Sequence, residues 1–593
     1  MSLIRRRSLV AASLALGAAL EAPRVHAEEA PKSVTHEYSP YEKETITNAL
    51  ASTGRTQELD PEGKEIEAID VVPLEVFEKR DPLPQWLNVF HWTSKPYTID
   101  RELLTGVGEK YSKVVVDESA RNLRNLAAQI SIVLIVATKG NSPGKVRLLV
   151  ITKDVWSLRL NSNYRFANGR LENLYLEPSE QNAFGTHQIA SVQYFMQPLS
   201  HLLGAYYKIP WLAGTRVQVI ANAAVILSRE HGGPEGSYLA LTVQYPLFSS
   251  RTPWSWKVAG DHRNEVTRLY QNGLLGLFDS KRTPDKDGIP FEYRSKLATA
   301  IAAVTRSFGW ARKTDVSFGM QLDGRKYATY DLSPYAPAAA DDFLGQVPVS
   351  DTRVGPFVQL RTYRSDFLRT LDVEILGLQE DFRLGADLGA KVYASAKPIG
   401  STRDFLGLDV VAQYTQRLHD GFVRVSAEGI VEAQTDTVSD ASLDARLRVV
   451  TPRLGFGRLV LDLGTLQRFR NYLNLNTKFG GETRPRGYPT NYFRAPNNVV
   501  GSLEWRSPSV DILKTLWGVV AFVDVGTAYR TEAGVEPRYG TGLGLRVLLP
   551  QFDRLVVRGD VAVPIDRHRP SDVPPVQFLI TVGQAFSVPN VAL

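Results

Sequence analysis

The stretch "GFVRVSAEGIVEAQ" (residues 421–434) alternates residue by residue. Val423, Val425, Ala427, Gly429 and Val431 fall on one face, while Arg424, Ser426, Glu428 and Glu432 fall on the other. A period of two is that of a β-strand with an apolar and a polar side. The same reading holds at 442–450, where Leu443, Ala445, Leu447 and Val449 oppose Asp444, Arg446 and Arg448. It holds again near the end, where Val557, Gly559, Val561 and Val563 oppose Arg558 and Asp560.

From Trp156 onward nearly every segment of about ten residues alternates in this way, and turn residues separate the segments. Aromatic residues gather at segment ends, as in Trp254-Ser255-Trp256 and Tyr206-Tyr207. A soluble antiparallel sheet alternates too, with its apolar face in a core. Here the polar face is charged along most of its length, which suits a transmembrane barrel facing lipid outside and water inside. Closure leaves no unpaired edge in hydrocarbon.

The N-terminus agrees with export. "MSLIRRR", an apolar run from Leu9 to Leu20 and Val25-His26-Ala27 read as a secretory signal cut after Ala27, so 1–27 are expected to be removed. Removal takes away Arg5, Arg6, Arg7, Arg24 and Glu21 and lowers the formal charge from +6 to +3. So nearly neutral a chain has no compositional case for binding nucleic acid. It has no cysteine, which excludes disulfides and thiolate chemistry. The longest apolar runs past residue 20, Ile130 to Ala137 and Leu297 to Val304, are too short for a membrane-spanning helix.

Between signal and barrel, residues 28–65 are polar and without period, and read as a linker with no fixed structure. Residues 66–153 read as a small β-α-α-β-β unit. A strand at Ile66–Phe77 precedes a helix beginning near Asp100, and a second helix is capped by Asp117. The strands "ISIVLIVAT" (130–138) and "KVRLLVITKDVW" (145–156) follow, joined at Asn141-Ser142-Pro143-Gly144. The last strand and second helix are expected to leave a groove open to an added strand. The paired acids Glu380-Asp381 read as part of a wetted loop.

Four features, in order, resemble the BamA/TamA-type outer-membrane assembly superfamily. They are the unit at 66–153, similar to a POTRA domain; the hairpin "LYLEPSEQNAFGTHQ" (174–188); the loop "GGETRPRGY" (480–488) followed by "VGSLEWRSP" (500–508); and the strand "FVDVG" (522–526). Pro485 departs from the family's aliphatic residue before the arginine. A tally of strand-like segments after Trp156 comes nearer twenty, but the resemblance implies a barrel of about sixteen strands over 154–586, the surplus being hairpins that rise from loops, with both termini periplasmic and a loop folded into the lumen.

On that reading Val523 and Val525 face lipid and Asp524 faces the lumen. Arg486 can then pair bidentately with the Asp524 carboxylate. Gly487 permits the tight turn, Tyr488 supplies an apolar body with a polar end, and Gly526 completes the strand motif. The final strand places Phe578, Ile580, Val582, Gln584 and Phe586 on one face. It resembles the C-terminal signal by which barrels reach the assembly machinery, although a tail at 587–593 follows.

The expected function is assembly or insertion of outer-membrane proteins, or translocation. POTRA β-augmentation and a seam between first and last strands would recruit the clients. The alternative is a two-partner polypeptide-secretion translocator, whose plugging helix residues 28–65 look too polar to supply. A passive diffusion pore would need neither the unit at 66–153 nor the inward loop. The implied partners are outer-membrane lipid and unfolded outer-membrane or secreted proteins, with periplasmic or lipoprotein accessory factors as further candidates. No nucleophile elbow, zinc motif or phosphate loop is present, so no catalytic residue, metal or cofactor is expected.

Overall fold

The alternating segments all become wall strands, because each has an apolar face that only lipid or a core can take up and a charged face that needs water or partners. The computed structural model describes residues 33–35 and 38–582, apart from positions 80, 82, 83, 127, 128, 168, 169, 272, 482, 483, 532, 533, 553–555 and 572. The signal at 1–27, Phe586 and the tail at 587–593 lie outside the described residues, as does the side chain of Val582. One large antiparallel sheet runs from Leu158–Ala167 to Gln577–Val582. Outward residues such as Val425 (52 %), Val523 (48 %) and Leu543 (68 %) are exposed, whereas Arg424, Asp524 and Arg558 are buried.

The sheet has twenty-one strands, of which Asn497–Arg506 and Val510–Ile512 lie end to end along the same neighbour, Thr515–Tyr529. They fill one position, so the described wall has twenty strands where the resemblance implies sixteen. The surplus segments are not hairpins rising from loops. Glu292–Phe308 and Arg312–Ala328, for example, are full-length wall strands paired to each other and to both outer neighbours. The last strand stands beside the first in the sheet order. Nineteen of the joints carry antiparallel ladders with described registers.

Both ends of the wall open toward the same rim, called here the near rim, where the N-terminal unit sits. In that unit the sheet order is Glu65–Leu74, Lys145–Asp154, Ile130–Lys139, parallel and then antiparallel. The helices are Pro96–Asp100 and Lys113–Arg124; the second starts after Ser112, which makes no side-chain capping bond, and Asp117 lies inside it. Ala120 and Leu123 bury their stripe against Ile99, Ile130, Val133 and Val150. The last strand is central and offers no free edge, which overturns the expected groove. Part of each outer edge is also covered. Glu58 N–H donates to Ala137 O and Lys139 N–H to Thr56 O on one side. Ile66 N–H donates to Glu109 O and Tyr111 N–H to Lys64 O on the other.

The linker expected at 28–65 is ordered where it is described. Pro40–Thr53 is a helix with a complete capping box: the Glu42 N–H donates to Ser39 Oγ (3.2 Å) and the Ser39 N–H to Glu42 Oε2 (2.9 Å). Pro40 opens it, and Gly54 closes it in the left-handed region at φ 62°. The helix is a wedge. Tyr41 and Ala49 pack with Ile132, Leu134 and Ile151 of the unit and with Leu376, Leu516 and Leu548 of the near rim.

Below the wedge, Lys153 is fully buried between Asp81 (2.6 Å) and Glu78 (2.9 Å), while Gln551 of the rim donates to Asp81 Oδ1 (2.8 Å). Phe77, Trp156 and Phe552 pack in tilted and edge-on contacts across the same joint, with ring centroids 5.2 to 6.3 Å apart. Removing one partner of such a buried pair leaves the other charge uncompensated, a loss of about 3–5 kcal/mol. Lys153→Met is therefore expected to loosen the unit from the barrel without unfolding the wall. Limited proteolysis should then cut between residues 154 and 158 in the variant while the wild type stays whole; equal resistance would count against this joint.

Candidate functional site: a latched loop inside the barrel

The loop between Arg458–Asn471 and Asn497–Arg506 leaves the far rim on a short stalk, Thr477–Phe479 paired with Phe493–Ala495, and turns back into the lumen. Phe479 and Phe493 stack at 4.9 Å on this stalk. Tyr488 is completely buried against Tyr492 and Phe493 at 5.3 and 5.2 Å. The tip is thus held by an aromatic cluster above and by charges below.

Arg486 is fully buried and meets Asp524 as the sequence implies. Its Nε donates to Asp524 Oδ2 (2.8 Å), its Nη2 to Asp524 Oδ1 (2.9 Å), and its backbone N–H to Asp524 Oδ2 (2.9 Å). The Ser502 hydroxyl donates to Asp524 Oδ1 (2.6 Å). Nη1 lies 2.7 Å from Glu504 Oε1 and 3.5 Å from Asp560 Oδ2. The guanidinium covers the ring of Phe522 at 3.4 Å, so the first residue of "FVDVG" supplies a cation–π face and the third the carboxylate. A buried guanidinium needs such a set of hydrogen-bonded and ion-paired carboxylates to offset its lost hydration.

Glycines make the approach possible. Gly487 sits at φ 100°, and a Cβ there would meet the backbone of Val563 at 3.0 Å. At Gly526 a Cβ would lie 2.6 Å from Pro485 Cδ, so the proline that departs from the family pattern rests against the last glycine of the strand motif. At Gly540 it would lie 1.9 Å from the Arg486 carbonyl oxygen.

Several members of the site carry no sequence signal of their own. Arg484 reaches Asp462 (2.6 Å), which also holds Arg448 (2.6 Å). Arg506 holds Glu504 (2.8 Å), and Arg546 holds Asp560 (2.6 Å). Apart from Arg484, which lies on the loop, each is an inward residue of an alternating strand, indistinguishable by pattern from any other luminal charge.

From the opposite side a second insertion enters. The near-rim connection 365–384 forms a hairpin, Phe367–Thr370 with Glu380–Arg383, and Ser33–Thr35 pairs parallel to its outer strand. Leu368, Val373 and Phe382 pack on the inward Phe422, Val450 and Val460 of the wall. Glu380-Asp381 is therefore not in a wetted loop. Asp381 pairs with Arg124 of the N-terminal unit (2.7 Å) and with Arg369 (3.3 Å). Burial would raise its carboxyl, but the attraction of Arg124, Arg369 and Arg121 outweighs that and holds it below the usual range.

The two insertions are joined. Glu374 of the hairpin contacts Arg448 (3.3 Å), Arg448 contacts Asp462, and Asp462 contacts Arg484 of the loop. In parallel the Val373 carbonyl accepts from Arg506, which binds the Glu504 that binds Arg486. Among the described residues no group of His, Asp and Glu could hold a metal ion. The arrangement is a latch of charge pairs. Phe578 (76 %) and Ile580 (56 %) of the final strand face outward, away from it.

Loss of Arg486 leaves Asp524 without a guanidinium, because Arg506 and Arg546 still serve Glu504 and Asp560. Arg486→Ala is expected to lower resistance to heat or denaturant by about 3–5 kcal/mol in this buried setting. Arg486→Ala with Asp524→Ala should recover part of the loss, since no buried carboxylate is then stranded. The shift in heat-modifiable migration of the folded barrel reads this out; strictly additive losses would show that the two side chains act independently.

Residues 437–586 match the Omp85 superfamily domain. No curated protein matches the chain. Among solved structures the chain is similar to CdiB from Escherichia coli, at 11% identity over 95% of this chain and 91% of that one, TM-score 0.43. It is also similar to CdiB from Acinetobacter baumannii, at 10% identity over 98% and 97%, TM-score 0.36. BamA from Haemophilus ducreyi lacking POTRA domains 1–3 is similar at 10% identity over 91% and 92%, TM-score 0.32. The matched segment holds the latched loop, its carboxylate partners and the final strands, so the C-terminal quarter of the chain carries an Omp85 superfamily domain.

Proposed function

We propose that this barrel assembles, inserts or translocates unfolded polypeptides at the outer membrane, with the unit at 66–153 as a periplasmic POTRA domain. The observation that carries this is the Arg486 loop, latched inside the lumen within the superfamily domain. A passive pore has no use for a loop that fills its own channel. Clients would meet the chain as extended strands, adding to a sheet edge by backbone hydrogen bonds. The joint between Leu158–Ala167 and Gln577–Val582, where the last strand stands beside the first, is the place in the wall that this reading assigns to them. Accessory periplasmic or lipoprotein factors would dock on the exposed side of the unit.

Polypeptide secretion remains the second reading, and one observation favours it. The N-terminal region does supply a helix, Pro40–Thr53, and sends Ser33–Thr35 to the hairpin inside the barrel. The earlier objection that 28–65 is too polar for a helix no longer stands.

A photoreactive residue in place of outward Leu160, on the first strand, tests the seam, with outward Leu388 as a control elsewhere in the wall and Glu374 as a luminal site. Assembly predicts crosslinks to β-barrel clients at 160 and none at 388. Crosslinks at 374 alone, to a secreted chain, would give the second reading. Equal labelling at 160 and 388 would sink the seam.

A further inference from the structure

The segment Gln85–Phe90 of the N-terminal unit is a 3₁₀ helix. With three residues per turn, positions spaced by three eclipse one another. Trp86 and Val89 therefore share a face, and Trp92 follows at the same spacing just beyond the helix. These three are 62 %, 82 % and 53 % exposed. From Pro82 to Ser94 there is no acidic or basic residue apart from His91, in a chain that is 22% charged.

The other side of the segment is firmly tied down. Asn88 Oδ1 accepts from the Phe77 N–H (3.1 Å), and its Nδ2 donates to the Phe77 carbonyl (3.0 Å). The Ser94 N–H donates to Asp154 Oδ2 (2.6 Å), and His91 lies 3.3 Å from the same oxygen. Two contacts then fix it to the barrel. Asn182 donates to the Trp92 carbonyl (2.8 Å), and the Lys95 N–H donates to Gly185 O (3.0 Å). Gly185 is at φ 69°, and a Cβ there would lie 2.4 Å from the Thr93 carbonyl oxygen, so backbone rests directly on backbone. An exposed apolar face on a frame this constrained is a built feature, not a stray loop.

Its position identifies what covers it. The Trp92 ring lies 5.7 Å from Phe184, which is 60 % exposed in the near-rim turn after the strand Arg170–Ala183. That rim carries the exposed Leu212, Trp254 and Phe308, where the outward apolar face of the wall ends. Aromatic side chains at such a boundary sit at headgroup level. The patch thus continues the lipid-facing belt and adds two tryptophans to it. A handful of side chains is also far short of the roughly 800 Å² per partner that a stable protein interface buries.

We propose that Trp86, Val89 and Trp92 form a membrane-interface arm, seated in the headgroup–acyl boundary of the leaflet at the near rim. It holds the N-terminal unit against the bilayer beside the first barrel strands. The reading rests on the barrel spanning the membrane and not on the client chemistry proposed above.

The chain has no cysteine, so Val89→Cys offers a single site for a nitroxide label in the full-length protein, at a position too exposed to disturb folding. The label's accessibility to dissolved oxygen and to a water-soluble nickel chelate is read in phosphatidylethanolamine–phosphatidylglycerol liposomes. Leu160→Cys on the outward face of the wall and Leu59→Cys, 87 % exposed in the segment just before the unit, serve as references. The arm predicts an oxygen-to-nickel ratio at 89 several-fold above that at 59 and approaching that at 160. A ratio equal to that at 59 would place the patch in water and overturn the proposal. Protection from both reagents would also overturn it, and would mean that a protein partner or a second copy covers the face.

Discussion

A guanidinium with no exposure to water sits at the centre of this barrel, and its position constrains everything around it. Arg486 can be buried only because Asp524, Glu504 and Asp560 reach it together from three wall strands. That convergence requires inward registers that agree across Asn497–Arg506, Thr515–Tyr529 and Val557–Pro564. A slip of one residue at any joint would turn a carboxylate to lipid and strand the arginine. The same charge fixes the loop's depth, since the tip must stop where Gly487 and Gly540 allow backbone contact.

The lumen is occupied from both ends. The loop descends from the far rim, the hairpin 365–384 enters from the near rim, and two chains of ion pairs and hydrogen bonds link them through Asp462 and Glu504. The hairpin is tied in turn to the N-terminal unit through Asp381 and Arg124. Any process that passes a polypeptide along the lumen must break these contacts, whereas one that works at the wall joint can leave them in place. This is the physical difference between the two functional readings.

Much of the architecture was legible because period-two alternation is a local property. Val425 beside Arg424, or Val523 beside Asp524, tells which side chain faces out without reference to any other strand. Arg486 and Asp524 could be matched from sequence because the loop and strand motifs carry the superfamily's pattern. The helix at Pro40–Thr53 was also written locally, in Ser39-Pro40-x-Glu42 and Gly54. It is missed when polarity alone is weighed, since its buried stripe of Tyr41, Thr45 and Ala49 is thin. The strand tally pointed to more wall than sixteen strands, and the resemblance overrode it.

The sequence by itself determined the faces of the strands, the presence of a small α/β unit before the barrel and the pairing of Arg486 with Asp524. Only the tertiary structure decided the rest: twenty wall positions among the described residues, a hairpin that enters the near end of the lumen, a unit sheet whose last strand is central, and the partners of Arg484, Arg448 and Arg506. Alternation reports which way a side chain points, but ion pairing depends on which strands become neighbours and at what register. Those are set by contacts between residues far apart in the chain, and no local pattern encodes them.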